Sequence, residues 1–390
     1  MAKTISILGA TGSIGDSTLS FIRNAKRGVF DVVCLTANSS ADKLADLALE
    51  FKPKFVVLAK EENETILRER LAGADIEIGI GGAALIEAGA YPADFIMASI
   101  IGAAGLEPTL AAVKQGTHIG LANKECLVCA GDLFMESVER SKAKLLPVDS
   151  EHNAIFQVLN QKRREDVKRL ILTASGGPFR TLSAQELGRV KRAQALAHPV
   201  WKMGAKITID SASLMNKGLE LIEASYLFDR ASSEIDIIIH PQSIIHGLVE
   251  YVDGSVLAQM GSPDMCTPIA YSLAWPQRMQ TNVKPFNLAD LGKFEFFAPD
   301  AERFPALRLA RAALEAGGGA PTVLNAANEI AVAAFLDDKI TFLQIPECVE
   351  TVLASFKGEQ SFARPANTIE EVLDTDNRAR IKARAFVEGK

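Results

Sequence analysis

Apolar residues in the first 150 positions fall into short runs, separated by stretches in which they return every three or four places. Residues 5–9, 32–36, 55–59, 95–99, 118–122 and 145–148 are such runs, and they read as buried strands. Residues 17–25 and 43–50 carry the spacing of amphipathic helices. Strand and helix patterns in alternation predict an α/β fold with a doubly wound parallel sheet. Past Ser150 the rhythm changes. Residues 170–174, 207–209, 235–240, 247–251 and 256–260 are strand-like with few helices among them, which predicts a mixed α+β domain. Residues 276–304, rich in Pro, Asn, Lys and Phe, show no period and read as a connector. From Pro305 onward Ala and Leu recur at helical spacing, interrupted by Gly317-Gly318-Gly319 and again by Pro346, as in a small helical bundle. The expected organisation is therefore residues 1–149 as the doubly wound domain, 150–275 as the α+β domain, 276–304 as linker and 305–390 as a C-terminal helical domain.

Gly9-Ala10-Thr11-Gly12-Ser13-Ile14-Gly15 follows the first strand and opens the first helix. Glycines there let a pyrophosphate approach the backbone amides of a helix N-terminus, so the first domain reads as Rossmann-like and dinucleotide-binding. A tight turn that only packs helix on sheet is the plainer alternative. At the tip of the second strand an Asp or Glu would bind the ribose hydroxyls of NAD. The chain has Thr36-Ala37-Asn38-Ser39-Ser40 instead. Small hydrogen-bonding side chains without an acid favour NADP.

Asp149-Ser150-Glu151 closes the sixth apolar run. On an extended segment residues two apart share one side, so both carboxylates would face together. Glu220 would complete the set from a helix that also bears Asn216, four residues away on the same face, and Lys217. Three carboxylates without Cys or His select a hard divalent cation, Mg²⁺ or Mn²⁺, over zinc. Ser175-Gly176-Gly177-Pro178 and Ser211-Ala212-Ser213 add hydroxyls suited to a phosphate. Asn123-Lys124-Glu125 follows the fifth run, at the sheet edge where such folds place ligands, and Lys124 can reach both substrate and nicotinamide. Residues 178–203 form a long polar stretch with a capping-box signature at Ser183 and Glu186, ending in His198-Pro199-Val200-Trp201-Lys202-Met203-Gly204. A stretch this long inside a domain reads as a lid with an aromatic latch.

Composition removes several classes. The chain has 390 residues, 48% hydrophobic and 23% charged, with a net charge of -6 and no basic block, so a soluble protein without nucleic-acid or membrane partners is expected. A strand running straight into glycines, where a secretory leader would stand, predicts a cytoplasmic protein. The five cysteines form no disulfide framework, and Cys126-x-x-Cys129, lacking a second pair or a nearby His, reads as two core-facing helical thiols.

Taken together, the glycine turn, Ala122-Asn-Lys-Glu125, Asp149-Ser-Glu-His152, Ser175-Gly-Gly-Pro-Phe179, His198-Pro-x-Trp-x-Met203, the 210–220 segment, His240-Pro-Gln-Ser243 and Asn325-Ala-Ala-Asn-Glu329 make the chain resemble the 1-deoxy-D-xylulose 5-phosphate reductoisomerases over essentially its whole length. The resemblance implies a homodimer that uses NADPH and a divalent metal to form 2-C-methyl-D-erythritol 4-phosphate in the non-mevalonate isoprenoid pathway. It implies that Asp149, Glu151 and Glu220 hold the metal, that Ser175, Ser211, Asn216 and Lys217 bind the phosphate, and that Ser150 and Lys124 lie at the reacting carbons. His198, Trp201 and Met203 belong to the closing lid, with the cofactor at Thr11, Gly12, Ser13, Ile14, Asn38, Ser39, Ser40, Asn123, Glu125 and Gly204. The chemistry so implied is a retro-aldol cleavage and re-addition followed by hydride transfer. Two departures stand out. A Gly-Lys-Asn run common after the second strand is replaced by Asn38-Ser39-Ser40, and Cys266 stands where an arginine is common. The competing readings are a metal-independent NAD(P)-dependent dehydrogenase of a small aldehyde or semialdehyde, and a nucleotide-binding regulator without turnover.

Overall fold

The computed structural model describes residues 2–201 and 203–390, without the side chains of Gln360 and Ser361; Met1 and Lys202 lie outside it. The chain divides into two compact units, one of residues 1–126, 134–153 and 264–283, the other of residues 127–133, 154–263 and 284–390.

Unit one holds seven strands: β1 (Lys3–Leu8), β2 (Phe30–Ala37), β3 (Phe55–Leu58), β4 (Glu77–Ile80), β5 (Phe95–Ala98), β6 (His118–Leu121) and β7 (Lys144–Pro147). They pair in parallel in the order β4-β3-β2-β1-β5-β6-β7. Six of them are the predicted runs. The seventh, β4, was not foreseen: its Glu-Ile-Gly-Ile sequence at a sheet edge lacks a continuous apolar run. Buried Ile, Val, Leu and Phe along β1, β3 and β5 explain why these segments are strands, since a parallel sheet is covered on both faces. The predicted helices are longer than their patterns, at Ser13–Asn24 and Ala41–Phe51.

Unit two is built on β8 (Val167–Ala174), β9 (Ile235–Ile239), β10 (Ile245–Tyr251) and β11 (Val256–Met260), in the order β11-β10-β8-β9, with β8 and β9 parallel and the other pairs antiparallel. Helices Ala306–Ala316, Ala320–Leu336, Gln344–Ser355 and Ile369–Glu388 share one buried core with this sheet and with helix Met215–Phe228. Gly317-Gly318-Gly319 separates two of these helices as expected; the next break falls at residues 337–343, and Pro346 sits in the first turn of the helix that follows, where proline is tolerated.

Two local expectations fail. Residues 207–209 are not a strand but the middle of helix Ala205–Ala212, held by a Lys206–Asp210 ion pair of 2.8 Å and by the Thr208 hydroxyl donating to the Gly204 carbonyl at 2.8 Å. A three-residue β-branched run is too short to fix the period. Asp149-Ser150-Glu151 is not extended either. β7 ends at Pro147, and a helix begins at Ser150, with the Asn153 amide bonded to the Asp149 carbonyl at 2.9 Å.

Phe95 is fully buried, with Gly120 on the neighbouring strand so close to its ring that a Cβ there would meet it at 2.6 Å. Phe95→Ala is expected to destabilise by about 3–5 kcal/mol through the cavity it leaves, read as a lower urea midpoint at unchanged slope.

Candidate active site

Parallel strands end on a common edge, and in unit one that edge collects the candidate cofactor residues. The strand order reverses between β1 and β5, the switch point at which doubly wound sheets bind ligands. Gly9 ends β1 there with φ +89°; a Cβ on it would meet the Ser99 carbonyl oxygen at 2.8 Å. At Gly15 a Cβ would meet the carbonyl oxygens of Gly9 and Ala10 at 2.5 Å, so the helix can start this close to the turn only with glycine. Thr36 on β2 clamps the turn, its hydroxyl accepting the Gly9 amide at 2.8 Å and its carbonyl the Ala10 amide at 2.8 Å. Gly12 is the N-cap and brings no side-chain cap, while Thr11, Gly12 and Ile14 are half-exposed and Ser13 exposed. Asn38, Ser39 and Ser40 are exposed just beyond β2.

Beyond β6, Asn123 is buried, and its side chain is occupied within the protein. The amide group donates to the carbonyls of Ile100 and Gly102, and its oxygen accepts the Cys126 amide at 3.0 Å, joining the loop after β5 to the start of helix Glu125–Ser141. Lys124, buried beside Glu125, extends to Asp149, with Nζ 2.5 Å from Oδ2. Asp149 also accepts the Ser150 amide on Oδ1 at 2.9 Å, and His152, fully buried, places Nδ1 4.0 Å from Oδ2. Ser150 donates to Glu151 at 2.5 Å. The two acids thus meet at a helix N-terminus, where the positive end of the dipole favours them, and not by strand alternation.

In unit two Ser175 follows β8. Its hydroxyl lies 3.0 Å from His198 Nε2 and accepts the Gly177 amide at 3.2 Å. His198 Nδ1 accepts the amides of Val200 and Trp201 at 3.2 and 2.8 Å, so the ring is neutral with its proton on Nε2, donated to Ser175. Trp201 packs 6.1 Å from His246. Met203 is half-buried and Gly204 exposed at the N-cap of helix Ala205–Ala212, which carries half-buried Ser211. The predicted capping box is present at Ser183 and Glu186. Leu214, in the left-handed region at φ +62°, turns the chain into helix Met215–Phe228. On that helix Asn216 donates to Glu220 at 2.5 Å and Lys217 pairs with the same carboxylate, with Lys217 and Glu220 both buried. Removing one partner of such a pair leaves an uncompensated buried charge, at a cost of about 3–5 kcal/mol. The sequence reading missed Thr36 and Asp210. Asp210, almost fully buried, holds Lys206 and accepts from Asn328 at 2.8 Å; its place at the head of the 210–220 segment and its four-residue spacing from Lys206 were its signals.

No cysteine supplies a nucleophile. Burial pushes the thiols of Cys34 and Cys348 up to about 12, burial and Asp264 raise that of Cys266, and Cys126 and Cys129 are buried on helix Glu125–Ser141 as foreseen. Nothing in the structure explains the cysteine at 266.

A glycine turn at the switch point of a seven-stranded parallel sheet, with a lysine and acids on the same edge, defines a nucleotide-binding α/β protein of the doubly wound class. Three family models match in chain order: 1-deoxy-D-xylulose 5-phosphate reductoisomerase over residues 5–131, its C-terminal domain over residues 145–228, and the DXP reductoisomerase C-terminal domain over residues 260–382. The chain belongs to the 1-deoxy-D-xylulose 5-phosphate reductoisomerase family. It is 52% identical to the enzyme of that name from Nitrobacter hamburgensis over 99% of this chain and 94% of the relative, and 52% identical to that of Bradyrhizobium diazoefficiens over the same shares. Among solved structures it is similar to the Zymomonas mobilis reductoisomerase in complex with NADPH, with TM-score 0.92 and 50% identity over 100% of both chains. A DOX-P reductoisomerase in complex with NADPH, fosmidomycin and magnesium matches with TM-score 0.93 and 44% identity over 99% of this chain and 98% of that one.

Burial lowers the pKa of His198 below its ordinary 6.5. A depressed value means that the neutral ring supports the 198–201 turn fully above pH 6.5 and loses it as pH falls through the lowered value, because protonated Nδ1 cannot accept. Trp201 fluorescence in a Trp275→Phe background is expected to change with a midpoint below pH 6.5, and His198→Asn to remove the transition; its persistence there would assign it to another group, such as His246.

Proposed function

We propose that this chain converts 1-deoxy-D-xylulose 5-phosphate to 2-C-methyl-D-erythritol 4-phosphate, with NADPH as reductant and Mg²⁺ or Mn²⁺ as the metal. The observation that carries the reading is identity above 50% to reductoisomerases over nearly the whole chain. The donor chemistry fits the metal: Asp149, Glu151 and Glu220 offer only carboxylate oxygens, the ligands of a hard cation, and Lys124 and Lys217 pair with Asp149 and Glu220. When bound, the cation polarises substrate oxygens and NADPH supplies a hydride.

The remaining work falls to the protein. Lys124 positions Asp149 and brings an ammonium to the edge where the reacting carbons lie, next to Ser150. Ser175, Ser211, Asn216 and Lys217 bind the phosphate through hydroxyl, amide and cation donors. His198, Trp201 and Met203, at the end of the 178–203 lid, close over the substrate and exclude water while the carbon skeleton is rearranged. Thr11, Gly12, Ser13 and Ile14 present amides to the pyrophosphate, with Asn38–Ser40 at the adenosine end and Asn123, Glu125 and Gly204 along the nicotinamide half. In this division of labour residues 1–149 hold the cofactor, 150–275 the metal and substrate, and 276–304 link them to the helical segment 305–390. No helix among the described residues is long and apolar enough to cross a membrane, in keeping with a cytoplasmic enzyme.

The chain acts as a homodimer. β11 is an edge strand whose Val256 and Leu257 are half-exposed, and a bare apolar edge of this kind is covered by pairing with another strand. Leu257→Lys is expected to shift the sedimentation coefficient from dimer to monomer; an unchanged value contradicts this interface.

NADPH absorbance is expected to fall on mixing enzyme, substrate and Mn²⁺, and to stop falling with EDTA. Asp149→Asn should lower kcat by about a thousandfold or more while NADPH affinity, read from nicotinamide fluorescence, stays within about twofold. Equal loss of both would sink the metal assignment.

A further inference from the structure

Resting on the NADPH reading, we infer that Lys43 is the residue that distinguishes NADPH from NADH by binding the 2′-phosphate. The loop after β2, where a dinucleotide's adenosine ribose lies, carries no acid and no lysine of its own between Asn38 and Ser40. Lys43, in the first turn of the following helix, reaches back to the cofactor turn: its Nζ lies 3.0 Å from the Thr11 carbonyl oxygen and 2.5 Å from Asp16. That path from helix to glycine turn crosses the space beside the ribose.

Three further features prepare the place. Arg70 draws the neighbouring acids away from it, bonding Asp42 at 2.9 Å and Asp46 at 2.5 Å. The carbonyls of Asn38 and Ser39 point to the β3 side, bonded to the Lys60 amide and the Asn63 side chain at 2.9 Å each. In a trans peptide the next amide points the opposite way, so the N–H groups of Ser39 and Ser40 face the β1 side, that of the glycine turn. The Lys43 ammonium and these two amides then lie on the glycine-turn side of the loop, and Lys43, with 43% of its side chain exposed, can pivot toward a dianionic phosphate there because exposed ion pairs such as that with Asp16 hold weakly.

The test measures the affinities of the intact enzyme for NADPH and NADH by nicotinamide fluorescence, without substrate or metal. Lys43→Ala is expected to weaken NADPH binding about tenfold and leave NADH binding unchanged, with Lys43→Arg retaining the preference. Equal affinities before and after the change, a parallel loss of both cofactors, or a tenfold loss with Lys60→Ala instead, overturns the assignment. Failure of the unmodified enzyme to bind either cofactor would fault the NADPH reading itself.

Discussion

The parallel pairing of seven strands is the constraint on which the cofactor half of the molecule depends. Because every strand runs the same way, the loops after β1, β2, β5, β6 and β7 all emerge on one edge, and the glycine turn, Asn38–Ser40, Ser99, Lys124 and Asp149 are neighbours by topology before any side chain is chosen. The side chains then fix the loops to one another. Thr36 ties the turn after β1 to β2, Ser99 donates to the Leu8 carbonyl at 2.7 Å, and Asn123 ties the loop after β5 to the helix after β6. A missing Cβ at Gly9 and Gly15 allows the closest approaches. The edge is preorganised by hydrogen bonds made entirely within the chain, which spares a bound dinucleotide the cost of ordering it.

Charge follows a second rule. Asp149 and Glu220 are held where water is scarce, and each carries its own lysine, Lys124 and Lys217. A lysine beside a buried carboxylate favours its charged form, whereas an uncompensated buried acid tends to take up a proton. The lysines therefore act as counterions to these two carboxylates. Their replacement by neutral residues would harm the resting protein as well as turnover, which distinguishes them from surface lysines.

The parallel sheet was legible because β1, β3, β5 and β6 are buried almost throughout and so read as unbroken apolar runs, while β2 and the edge strand β7 keep a short apolar run at the buried end. β4 escaped because an edge strand need not be apolar, and residues 207–209 misled because three β-branched residues fit a helix as well as a strand. The candidate site residues stood out in the sequence as types: carboxylates, a lysine and hydroxyls near the ends of apolar runs. What spacing could not supply was their local geometry. Asp149 and Glu151 were read as neighbours on a strand, and they meet instead at the first turn of a helix; the pairing of Lys217 with Glu220, and the support that Asn328 gives Asp210 from more than a hundred residues away, have no local signature.

The two units hold their loops in different ways. In the first, the strand-end loops sit on a sheet edge locked largely by side-chain hydrogen bonds to the backbone. The segment that ends in His198, Trp201 and Met203 is held by short helices, a capping box and one neutral histidine accepting two amides. A dinucleotide that returns to the same place in every cycle is best served by a rigid cradle. A histidine whose neutral form makes the turn is a conditional support: the turn is held while Nδ1 can accept and loses those two bonds when it is protonated.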